Sequence, residues 1–247
     1  MGARIVFEHG SGLPDHDWFL AAVPGVGDVG LGAVDLLLDR TNAEIIGRMY
    51  HPSLPPHSEL DTEGILRPPH MSLHRSTLDQ GPTVIFLRGS AQPLTPESQF
   101  DASCALLDHV RPTGMLLMLA GLTQPAKEQR ILAAGTSKGS VEQLAGLGFE
   151  IDGDEPAGGV IGLAGLLPTL AALDGIPSGV VIATTLGTSR DPVASERLAA
   201  RLAMNLGLGI EIPGLAEGRR DRIGAGLERS TVDHVDALRD TADHLYV

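Results

Sequence analysis

The sequence predicts an α/β fold: an open, mostly parallel β-sheet with helices on both faces. Three observations carry that prediction. Short apolar runs alternate with stretches of helical periodicity along the chain. The later runs, such as "GMLLMLAG" and "GVVIATTL", are continuously apolar, as strands covered on both faces are. The 247 residues, 43% of them apolar and 20% charged, are enough to enclose a large core. Aromatic residues make up only 3%, so that core is built from Leu, Ile, Val and Ala.

In chain order, the strand candidates are "ARIVFEH", "WFLAAV", "AEIIGRMY", "HMSLHRS", "TVIFLRG", "GMLLMLAG", "RILAAG" and "GVVIATTL". Helical patterns run from about Val29 to Arg40, Pro96 to Val110, Ser140 to Leu147, Val160 to Leu173 and Pro192 to Leu206. The core domain is expected over residues 1–212. The stretch 50–76 interrupts the alternation with five prolines (Pro52, Pro55, Pro56, Pro68, Pro69) and reads as an inserted surface hairpin or loop.

After Ile212 the composition changes. An arginine- and glycine-rich stretch gives way to a segment in which Thr231, Val235, Leu238, Ala242 and Leu245 repeat at helical spacing. That is one narrow apolar stripe, with Asp233, Asp236, Asp240 and Asp243 on other faces. It suits either packing between subunits or a terminal helix lying on its own domain.

The formal charge is −13, with two lysines against 16 arginines and no basic patch, which argues against nucleic-acid binding. The N-terminus lacks the apolar region of a signal peptide, and no apolar run reaches the length of a membrane span. A soluble, cytoplasmic protein is expected. Cys104, the only cysteine, permits no internal disulfide or thiolate cluster and is expected as buried packing in its helix.

Four motifs could carry chemistry. Gly25-x-Gly27-x-x-Gly30 has the spacing and the strand-to-helix context of a dinucleotide fingerprint. The next strand, however, ends in Arg48, Tyr50 and His51 with no acid for a ribose, and Asp28 would oppose a pyrophosphate. Close strand–helix packing is the better reading. "GTSKG" matches G-x-S-x-G, which would make Ser137 a nucleophile with Asp191 and His234 following in order. The alternative is an ordinary turn with Ser140 capping a helix. His51, His57, His70 and His74 crowd the proline-rich insertion. Along one strand His70 and His74 would lie about 13 Å apart, too far to share a metal. They read as surface histidines, and no metal site is expected.

The fourth motif is the ending Leu245-Tyr246-Val247, hydrophobic-tyrosine-any, which contains one of only two tyrosines. An aromatic with a phenol, a free carboxylate and an apolar neighbour form a compact plug for a pocket with a lysine at its base.

On "PGVGDVGLGAVDLLL", "GMLLMLAGL", "GVIGLAGLLPTLAALDGIPSGVVIAT" and "RDPVASERLAARLAMNLGLGIEIPGL", taken in order, the chain resembles the proteasome assembly chaperone family in its archaeal form. The resemblance implies a three-layer α/β/α sandwich similar to nucleoside phosphorylases. It implies an ATP-independent, non-catalytic protein without a cofactor, and more often than not a homo-oligomer. It also implies that Leu245, Tyr246 and Val247 dock between α-subunits of the proteasome core particle. The alternative is a small-molecule enzyme on the same scaffold, phosphorylase-like or a serine hydrolase at Ser137.

Overall fold

The computed structural model describes residues 2–212 except 61–63, 77, 79, 125–128, 155–158 and 188–189. The strands are β1 (Arg4–Phe7), β2 (Trp18–Ala22), β3 (Glu44–Tyr50), β4 (Glu59–Leu60), β5 (Leu66–Arg67), β6 (Met71–Arg75), β7 (Val84–Gly89), β8 (Met115–Thr123), β9 (Ile131–Gly135), β10 (Glu150–Ile151) and β11 (Ser178–Thr185). The helices are α1 (Val29–Arg40), α2 (Pro96–Leu107), α3 (Lys138–Gly146), α4 (Leu163–Leu173) and α5 (Pro192–Asn205). Nine strands form one sheet in the order β1-β3-β6-β7-β2-β8-β11-β9-β10, and β4 and β5 form a separate small hairpin.

The fold is an α/β sandwich whose sheet is parallel through its centre, β7-β2-β8-β11. An antiparallel arm, β1-β3-β6-β7, flanks it on one side. On the other side β9 runs antiparallel to β11 and parallel to β10. The central strands are buried on both faces: Phe19, Leu20 and Ala21 of β2 have no exposed surface. One core lies between the sheet and α1, α3 and α5. The other lies between the sheet and α2 and α4.

Local chemistry sets the helix starts. Thr95 and Ser98 form a reciprocal capping box on α2, with Pro96 in the first turn. Asp191 accepts from the Ala194 amide to cap α5, again ahead of a proline. α4 begins at Leu163 and not at Val160, because Gly162 sits at φ 77°, outside the helical region. α2 stops at Leu107, three residues short of the predicted end.

Two local expectations need correction. Ser137, not Ser140, caps α3, and Ser140 is buried one turn inside it. Cys104 is exposed. The inward positions of α2 are taken by Ser98, Ala102, Ser103, Leu106 and Leu107, which turns Cys104 outward. In the stretch 50–76, Met71–Arg75 is a full strand of the main sheet, and β4 and β5 are the hairpin.

α1 sits very close to the sheet. A Cβ on Gly30 would lie 2.1 Å from the Leu119 carbonyl oxygen of β8, and one on Gly121 would lie 2.2 Å from the Val26 carbonyl oxygen. Backbone meets backbone at both places, so no side chain can yield. Gly30→Ala is therefore expected to destabilise the protein by about 3 kcal/mol or more in denaturant unfolding. Gly146→Ala, at a helical position with open space around it, is expected to be neutral or to stabilise by up to ~1 kcal/mol.

Candidate functional site

The glycine turn leaves the C-terminal end of β2 and enters α1 through a single 3-10 turn, Val26–Asp28. Gly27 and Asp28 both adopt the left-handed conformation, at φ 61° and 47°. Asp28 caps nothing with its side chain; its carboxylate faces Arg190 at 3.7 Å. The Gly27 carbonyl accepts from the Asp191 amide at 2.9 Å. Thr185 Oγ1, which a Cβ on Gly27 would meet at 3.1 Å, donates to Asp191 Oδ2 at 2.6 Å. The turn is thus locked to the start of α5.

The strand that follows α1 is not its parallel neighbour. β3 lies three places away in the antiparallel arm. The β-α-β unit that places a ribose-binding acid beside a glycine turn is therefore not formed here. The glycines serve close packing of turn, helix and β8.

Beside the turn, at the C-terminal ends of β2, β8 and β11, lies an open cleft of about 230 Å³. Its walls include Val26, Val29, Leu119, Leu122, Ile161 and Ile182. Gln92 closes one side: its Nε2 donates to the Pro24 carbonyl at 2.7 Å and its Oε1 accepts from the Leu163 amide at 3.2 Å. Both polar ends of this amide are thereby used, clamping the glycine turn to the start of α4. Among the described residues no ionisable side chain lines the cleft. It can hold apolar groups, but it brings no acid, base or nucleophile to them. No sequence pattern marks Gln92, because its role depends on two distant loops meeting.

Ser137 lies elsewhere. Its Oγ accepts from the Ser140 amide at 3.1 Å and shares a 3.0 Å hydrogen bond with the Ser140 hydroxyl. The adjacent Thr136 amide binds the Ser178 carbonyl, at the N-terminal end of β11. Asp191 is tied to Thr185 at the other end of that strand. Eight residues of strand separate them, roughly 20 Å. Ser137 and Asp191 therefore cannot belong to one catalytic triad, and His234 lies outside the described residues. Ser137→Ala is expected to cost about 1 kcal/mol in unfolding measurements, the loss of one helix cap. A fluorophosphonate should leave Ser137 unlabelled.

The histidines are not a surface cluster. His57 is exposed, but His51 is buried, with Nε2 donating to Asp101 Oδ2 at 3.1 Å and Nδ1 accepting from the Ser53 amide at 3.0 Å. His70 precedes β6, and its ring lies tilted against that of Tyr50 with centroids 5.8 Å apart. Only His74 lies within the strand, bound to Ser72 Oγ at 2.8 Å. No group of three potential ligands is placed to hold a metal among the described residues.

Burial, reinforced by the Arg88 guanidinium and then by Arg48 and His70, against an opposing Asp35, pushes the His74 pKa down to about 4. The folded state therefore keeps His74 neutral over a range where an unfolded chain protonates it. Stability from this site is full above pH ~6.5 and falls as the pH drops toward 4. The expected loss between pH 7.5 and pH 5 is about 1–2 kcal/mol, and His74→Gln should flatten that part of the curve in thermal unfolding at a series of pH values.

Leu245, Tyr246 and Val247, with the striped segment before them, lie outside the described residues. No helix among the described residues is long and apolar enough to cross a membrane.

Comparison with known proteins then decides the family. Residues 19–221 match the model of the PAC2 family. The chain belongs to the PAC2 family. A relative from Methanocaldococcus jannaschii, an uncharacterised protein, is 25% identical over 183 residues, spanning 72% of this chain and 69% of its own length. The PAC2 fold is shared with the crystal structure of Pyrococcus furiosus PbaB, an archaeal proteasome activator, at a TM-score of 0.74 and 22% identity over 98% of this chain and 99% of that one. Pyrococcus furiosus PbaA, an archaeal homolog of proteasome-assembly chaperone, matches at 0.74 and 22% over 100% and 98%.

Proposed function

We propose that this PAC2 chain is an ATP-independent proteasome assembly chaperone or activator-like protein. In this reading it docks on the α-ring of the core particle through Leu245, Tyr246 and Val247. The observation that carries the reading is family membership on a fold matched nearly end to end by a proteasome activator and an assembly-chaperone homolog. The apolar cleft supports binding over catalysis, since it offers no ionisable group among the described residues. The protein acts without a cofactor, in the cytoplasm, and without nucleic acid or membrane.

Tyr246 is the anchor, because an aromatic supplies most of the contact area of so short a peptide. The terminal carboxylate adds a charge-assisted contact to a lysine of the partner. Leu245 fills a shallow apolar site. A single tail binds weakly, since ordering a free end costs entropy. Packing along Thr231, Val235, Leu238 and Ala242 builds a homo-oligomer that presents several tails together.

Pull-down of the core particle tests this. Tyr246→Ala, or removal of the last three residues, is expected to lower binding by about 100-fold or more while fold and oligomer size stay unchanged. Tyr246→Phe, which loses only the hydroxyl, should be milder. Equal binding by the truncated and intact proteins would refute docking through the tail.

A further inference from the structure

The α2/α4 layer leaves an apolar seam open to solvent. The two helices pack side by side on one face of the sheet. They run in the same direction: Gln99 near the start of α2 reaches Gly162 ahead of α4, and Cys104 further along α2 is within electrostatic reach of Asp174 just past α4. α4 has no charged residue in its 11 positions. Leu163, Leu167 and Ala171 face the core with no exposed surface, yet Leu173 is 81% exposed. Across the seam, Phe100 of α2 is 50% exposed and Cys104 is open. Thr169 is the only polar side chain of α4; a helix with so little polar surface is one suited to being covered, and exposed apolar groups of this size mark a contact site.

The border of the seam decides what covers it. Glu97, Asp101 and Asp108 on the α2 side and Asp174 beyond α4 are all exposed; Asp101 is already paired with His51, and Arg111 just past α2 donates to the Val110 carbonyl, which leaves Glu97, Asp108 and Asp174 to set the sign of the border. Neither helix contains a lysine or arginine. A second copy related by a two-fold axis would set this acidic border against itself, in a chain already at −13. Charge complementarity instead selects an apolar patch framed by basic residues.

We infer that the α2/α4 seam is a docking surface for a partner protein whose apolar patch is bordered by Lys or Arg. This rests on the proposed function in one respect: the partner is taken to be a proteasome α-subunit, touched here in addition to the tail contact.

Cys104 supplies the test, because the chain's only cysteine lies in the seam and its alkylation by N-ethylmaleimide reports coverage of the unmodified full chain. For the chain alone the rate should not change over two decades of protein concentration. Added proteasome α-subunits should slow it at least about tenfold, and high salt should weaken that protection by screening. Phe100→Ser and Asp108→Lys, both at exposed sites with the tail intact, should each lower affinity about tenfold without altering thermal unfolding. If α-subunits bind while Cys104 reacts at its free rate and both variants bind normally, the seam is not a contact, and docking through the tail still stands. If the intact chain captures no α-subunit in pull-down, the docking function itself fails and this inference falls with it. If alkylation slows with the chain's own concentration, a second copy covers the seam and the inference is wrong.

Discussion

The structure depends on one reciprocal contact between backbones. The Gly30 α-carbon of α1 lies against the Leu119 carbonyl of β8, and the Gly121 α-carbon of β8 lies against the Val26 carbonyl ahead of α1. Each partner needs the other to lack a side chain. With both glycines present, α1 drops onto the centre of the sheet, and Val29, Ala33, Val34 and Leu37 reach the core. The same closeness carries into the next layer. Gly32 of α1 admits Ser195 of α5, whose hydroxyl would lie 2.5 Å from a Cβ at that position. Sheet, α1 and α5 are thus stacked through small residues, and Gln92 and Asp191 fasten the turn from either side.

That contact also explains why a nucleotide-like motif sits in a chain that does not build a nucleotide site. In a dinucleotide-binding turn, glycines let the backbone approach a pyrophosphate and the helix approach the strand. Here only the second use is realised. A carboxylate, Asp28, occupies the helix start, and the next strand leaves for the far arm of the sheet. The spacing of glycines records a steric requirement, and two different structures share that requirement.

Much of the fold was legible in the sequence because its strands are long apolar runs and its helices carry ordinary start signals. Eight of the main-sheet strands and all five helices follow the expected segments. β10, two residues long, has no pattern to read. Strand order was not legible either, since periodicity reports burial and not neighbours. For the same reason the antiparallel pairing of β9 with β11 left no mark in "RILAAG". Cys104 and His74 depart from the sequence expectation for a related cause. A one-dimensional pattern says that a residue lies in a helix or an insertion, but its exposure depends on which layer lands on that face. His74 was expected at the surface and is mostly enclosed beside Arg88 and Asp35. Cys104 was expected inside and faces out because Ser103 holds the inner position.

The two helical layers are finished differently, and the difference bears on function. The α1/α3/α5 layer carries mixed charge: Asp35 pairs with Arg88, Lys138 with Glu142, and Arg197 donates to the Thr184 carbonyl. Water and these pairs complete such a surface. The α2/α4 layer has acids along one border, leucines on α4 and no lysine or arginine within either helix. The cleft beside the glycine turn opens toward the same layer through Ile161, which is 91% exposed. A net charge of −13 disfavours a contact between like copies through a strip edged by acids. At this strip the same acids favour a basic partner. A bulk property of the composition, its excess of acids, therefore bears on which partner the α2/α4 strip would select.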